Sequence, residues 1–178
     1  MRNILKDSNG SGHKYTWMVI DNIGFKNNPR RRAKGLNHVW DKYQSLLKGR
    51  ATDDCFAWHF HTPDVLERTL IYNSCFPNND SNEQSLCARL IERNFFPSVF
   101  RSGGTIERND LNFWAEMFFP FDFSSQAFDN ERAGGCKIQF DWRHAPHDWS
   151  FYHPNFYDYR LPGNMNRAIF RCIYLMDE

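Results

Sequence analysis

The stretch Cys55-Phe-Ala-Trp-His-Phe-His61 decides how this chain is read. It is short, apolar and aromatic, which marks a buried strand. Strand alternation puts Phe56, Trp58 and Phe60 on one face and Cys55, Ala57, His59 and His61 on the other. Two imidazoles on one face at this spacing have Cα atoms about 6.6 Å apart, at a rise of roughly 3.3 Å per residue. One metal ion with bonds of about 2.0–2.1 Å can bridge such a pair.

Working outward, residues 14–20 read as a second buried strand that runs into Asp21. Leu36, Val39, Trp40, Tyr43, Leu46 and Leu47 recur at helical steps between 34 and 47, and Gly49 follows at the usual stop. Thr62-Pro63 looks like a cap and first position for a short helix over 63–71. A further helix is expected near 83–93, then a strand over 95–100 that ends at Arg101. After the Ser102-Gly103-Gly104 turn, Thr105 is a candidate N-cap. Ile106, Leu111, Trp114, Ala115 and Phe118 line the helix behind it. Strands are expected over 119–123 and 168–175. Residues 138–163 lack either periodicity and read as a long functional loop or lid.

Strands that alternate with helices imply an α/β fold of parallel βα units. Sites in such folds gather at the carboxyl ends of strands. Here those ends carry Asp21, His59 and His61, Arg101, and Asp122 with Ser124. Asp53 and Asp54 precede their strand and belong to the opposite end.

Composition narrows the function classes. A length of 178 residues suits one domain with a true core, and 41% hydrophobic residues exclude disorder as the default. The net charge of +1 gives no field to steer nucleic acid, and Arg30-Arg31-Arg32 reads as a solvated loop. Aromatics at 17% serve either a core of large rings or a groove for planar ligands. Five cysteines with no CxxC pair fit reduced thiols in a cytoplasmic protein. The first residues lack the apolar stretch expected of a signal peptide, and no run approaches about 18 apolar residues, so neither an exported nor a membrane-spanning chain is expected.

The candidate chemistry is open at each position. A catalytic zinc takes three protein ligands, and Asp21 is either that third ligand or a turn residue. Arg101 is either a bidentate clamp on a substrate oxygen or a surface arginine with a packed stem. Asp122 and Ser124 bind substrate or cap a turn. His153 titrates near neutrality, as a general acid must. Trp142, Trp149 and Tyr152 either stack on a sugar ring or pack the loop on itself.

In order, Thr16-Trp-Met-Val, Trp58-His-Phe-His61, Phe100-Arg-Ser-Gly-Gly104, Pro120-Phe-Asp-Phe-Ser-Ser125 and Asp141-Trp-Arg-His-Ala-Pro146 through Trp149-Ser-Phe-Tyr-His-Pro154 resemble the polysaccharide deacetylase family, carbohydrate esterase family 4. The resemblance spans about residues 14–175 and implies one domain over 1–178 with an incomplete or distorted (β/α)7-type barrel. It implies a divalent metal, zinc by preference, and removal of acetyl groups from an N- or O-acetylated sugar or glycoconjugate. His59 and His61 match the metal-holding histidines, Arg101 the arginine that orients a catalytic carboxylate, Asp122 and Ser124 an active-site Asp-x-Ser, and His153 the general acid. The family's N-terminal Asp pair has no counterpart ahead of the strand at 14–20. The alternative is therefore a catalytically inactive carbohydrate-binding or assembly module of the same fold.

Overall fold

The computed structural model describes residues 4–12, 14–22, 38–48, 54–61, 80–102, 107–125, 142, 144–148 and 150–171. The expected helix over 63–71, the Thr105 cap, Asp141, Trp149, the basic cluster at 30–32, the strand residues after 171 and the His61 side chain lie outside the described residues.

The elements in chain order are β1 (Thr16–Asn22), α1 (His38–Lys48), β2 (Cys55–His61), α2 (Asp80–Arg93), β3 (Val99–Ser102), α3 (Asn109–Glu116), β4 (Phe121–Ser125), β5 (Phe151–Tyr152) and β6 (Ala168–Arg171). They build one six-stranded sheet in the order β1-β2-β3-β4-β6-β5. The pairings from β1 through β6 are parallel, and β5 alone is antiparallel. The α/β, mostly parallel character is as the sequence implies. The sheet is open, with β1 and β5 at its edges, so these residues do not close a barrel.

The core follows from the rings. Val19, Trp58, Phe60 and Phe100 from the strands pack against Trp40 of α1, Leu86 of α2, and Leu111, Trp114 and Ala115 of α3. Trp58 is its centre, with ring centroids 5.0 Å from Phe60, 5.5 Å from Phe119 and 5.8 Å from Phe100. Among the described residues the aromatic excess therefore goes first into packing.

Polar side chains fix the ends of elements. Asp54 accepts hydrogen bonds from the Tyr15 amide and the Trp17 indole, both at 2.9 Å, and pins the start of β1 to the start of β2. That is the stabilising end to which its position assigned it. Asn94, at φ 49°, turns the chain out of α2 in the left-handed region that Asn tolerates. The α2 helix is tied to the sheet by Arg89, whose Nε and Nη2 each donate to Asp21 at 2.8 Å. The Trp58 indole donates to the same carboxylate at 3.0 Å, and the Arg89 guanidinium lies 5.1 Å from the Trp40 ring centroid.

The expected lid is a correction. Residues 150–167 are held to the sheet edge rather than poised over a site. Phe151 and Tyr152 pair with β6, and Pro154 bridges Pro162. Trp142, Ala145, Tyr152, Tyr159 and Ile169 form a second small core. A two-residue strand is too short to show a period, which is why the sequence hid it. Gly163 closes this segment, with its amide 2.7 Å from the His153 carbonyl.

Two stability tests follow. A Cβ at Gly163 would lie 2.4 Å from the Asn155 Cα, so Gly163→Ala should cost about 1–3 kcal/mol by urea unfolding. Asp21→Ala strips the wholly buried Arg89 of its carboxylate and should cost about 3–5 kcal/mol. A change within error for either would contradict the packing described.

Candidate functional site

Register decides which polar residues meet. Ile20 lies level with His59, and His59 with Arg101. Residues level with one another in neighbouring parallel strands face the same way, and successive residues alternate. His59 and Arg101 therefore share one face. Asp21, level with Phe60, and Asp122, level with Phe100, belong to the helix-covered face. The single polar rim expected from strand ends is two clusters on opposite faces.

On the helix-covered face Asp122 is wholly buried. Its Oδ1 accepts the Ser124 amide at 2.7 Å and its Oδ2 accepts Arg167 Nη1 at 2.8 Å. Arg167 Nη2 donates to Glu107 Oε1 at 2.9 Å and to the Asn112 side-chain oxygen. The Ser124 hydroxyl accepts the Ser102 amide at 2.9 Å and so joins β4 to β3. One guanidinium thus serves two buried carboxyls. Burial, reinforced by the Asp122 charge and opposed by Arg167, pushes Glu107 up to about 8. Burial also raises Asp122, against the pull of Arg167, Ser124 and Arg101. Glu107 therefore keeps its proton at neutral pH. Asp122 and Ser124 are buried and tie strands together rather than lining an open rim.

On the opposite face the His59 Nδ1 lies 3.1 Å from the Arg101 carbonyl oxygen. A carbonyl only accepts, so Nδ1 carries a proton, as it does in histidines that ligate metal through Nε2. Arg101 is 6% exposed, and its Nε has no hydrogen-bond partner among the described residues.

His59 suits a metal, but Asp21 does not. It faces the other side of the sheet, and both its oxygens are engaged by Arg89, one of them also by Trp58. Among the described residues, no three His, Cys, Asp or Glu side chains converge on a common metal position. The stacking platform needs the same correction. Trp142 is wholly buried against Tyr159, and the Tyr152 hydroxyl donates to the Tyr159 carbonyl from inside the second core. Neither offers a ring face to a sugar. His153 is exposed at the far sheet edge, where its Nδ1 donates to the Arg167 carbonyl at 3.1 Å. β6 and β4 stand between its strand and β3.

The sequence reading missed Arg89, Glu107, Asn112 and Arg167. The available signal was a charged side chain flanking an apolar element: Glu107 before α3 and Arg167 before β6. No family model matches this chain, and no curated protein or solved structure is significantly similar to it. No helix among the described residues is long and apolar enough to cross a membrane.

The proton on Glu107 has a measurable consequence. Folding raises Glu107 above its ordinary value of 4.5, so the folded state holds this proton more tightly. That contribution to stability is complete below the ordinary value and is lost as pH rises through about 8. Glu107→Gln mimics the protonated form. Urea unfolding of this variant between about pH 5 and 8 should show a flatter pH dependence than the parent. An unchanged slope would mean that Glu107 is ionised in the folded chain.

Proposed function

We propose that this chain is a binding module for an acetylated sugar or glycoconjugate, with its site at the carboxyl ends of β2 and β3. His59 and Arg101 line that site on the face away from α1, α2 and α3. The sugar rests on the resemblance of the ordered stretches to the polysaccharide deacetylase family, whose distorted barrel would need strands beyond these six. One observation favours binding over hydrolysis. Asp21 and Asp122, the carboxylates that a hydrolytic mechanism would draw on as ligand and base, are each held by a buried arginine. Both oxygens of each are taken by neighbouring donors, so neither carboxylate is open to a metal or a water.

The second reading is metal-dependent removal of the acetyl group, with a divalent ion, zinc by preference, on His59 and His61. The Nδ1 hydrogen bond of His59 favours it. When bound, the metal would supply a polarised acyl carbonyl and an activated water. His59 would hold it through Nε2, and Arg101 would orient an oxygen of the substrate.

Calorimetry with N-acetylated chito-oligosaccharides, together with an acetate assay, separates the readings. Binding by the parent without acetate release is the expected result. Zinc-dependent acetate release that is lost in His59→Ala would establish the hydrolytic reading instead. A parent chain that binds none of these sugars would refute both.

A further inference from the structure

Arg101 stands apart from the other wholly or nearly buried arginines. Arg89 and Arg167 each hold carboxylates at 2.8–2.9 Å. Arg101 is 6% exposed and forms no ion pair among the described residues; its Nε, like that of Arg167, has no acceptor. A nearly buried guanidinium without an ion pair is costly, because the hydration its Nε loses is not replaced. The shortage extends around it. The Ser125 hydroxyl, at the end of the adjacent strand β4, is buried and lacks a partner as well. These are two buried polar side chains at the ends of two adjacent central strands.

The charge count points the same way. Arg101 and Arg167 bring two guanidiniums to the ends of β3 and β4. Asp122 acts on both, and Glu107 acts on Arg167. Burial keeps Glu107 protonated up to about 8, which leaves one positive charge in excess at neutral pH. Asp122 feels Arg101, but both its oxygens are engaged, by Ser124 and Arg167. His59, the neighbour of Arg101 on the same face, donates to the Arg101 carbonyl and brings no negative charge.

We propose that Arg101 is the anchor for an oxyanion on the bound ligand, so that the sugar this site takes is an acidic one. This deepens the binding reading above and rests on it only for the sugar. A guanidinium offers a planar pair of donors that matches the two oxygens of a carboxylate, and two of a phosphate equally well. The ligand supplies the acceptor that the fold withholds.

Calorimetry at low ionic strength tests this with glucose, glucuronate and glucose 6-phosphate, which differ at one carbon, and with inorganic phosphate alone. The chain is compared with Arg101→Gln and Arg101→Lys. The parent should prefer one of the acidic sugars to glucose by about tenfold or more. Arg101→Gln should lose that preference, and Arg101→Lys should keep part of it, since it retains the charge without the fork. Whether glucuronate or glucose 6-phosphate binds more tightly identifies the oxyanion as carboxylate or phosphate. The melting temperature supplies a second reading. An arginine kept for a ligand strains the empty protein, so Arg101→Gln should melt no lower than the parent. A lower melting temperature with an unchanged preference would make Arg101 a structural residue and overturn the proposal. Equal affinity for glucose and both acidic sugars would overturn it too. If inorganic phosphate binds through Arg101 and no sugar binds, the oxyanion anchor stands and the sugar reading fails.

Discussion

A guanidinium taken wholly out of water governs the carboxyl half of this fold. Arg167 lies just before β6, and acceptors gathered around both its Nη atoms replace the hydration they lose. Asp122 comes from β4, Glu107 from the approach to α3, and Asn112 from α3 itself. Its backbone amide is held by Glu116 at 2.9 Å, and its carbonyl by His153. Glu116 sits in the last turn of α3, where a negative charge opposes the helix dipole. It is placed there because it also receives the Asn166 amide and side chain. One buried cation thus brings together a helix, two strands and the segment leaving β5. A buried ion group of this kind is weak evidence for stability but strong evidence for registration, since losing any one member strands the others.

Arg89 plays the corresponding role in the amino half. It threads between Trp40 and the sheet to reach Asp21, and the Trp58 indole completes the set. The two buried arginines lie on the same side of the sheet, under the helices. Arg101 has no such set, and it is the exception that gives the opposite side its chemical character.

Much of the fold was legible because its signals are local. The β2 segment reads as a strand from Phe56, Trp58 and Phe60, and α1 and α2 read from three- and four-residue steps. Asp54 could be placed at the stabilising end simply because it precedes its strand. The site was less legible because it depends on register, which no single strand contains. Asp21 and His59 both lie near strand ends, so by eye they share a rim. The pairing sets Asp21 level with Phe60, and this one-residue offset turns it to the other face. The pairs that matter most, Asp21 with Arg89 and Glu107 with Arg167, join residues 68 and 60 apart in sequence. Trp142 misled for a different reason. An aromatic residue in a segment without periodicity looks available to a ligand, but Tyr159 and Ile169 close over it.

The strand order carries a consequence for how the molecule is made. β6 is the last described strand to leave the ribosome, and it inserts between β4 and β5. During synthesis β5 has no strand beside it, and Glu107 and Asp122 face one another without a cation. Nascent chains that end before residue 167 therefore carry a protonated or repelling carboxyl pair and an unclosed sheet edge. Completion of the carboxyl half therefore waits on one segment, which delivers the counter-charge and the missing strand together.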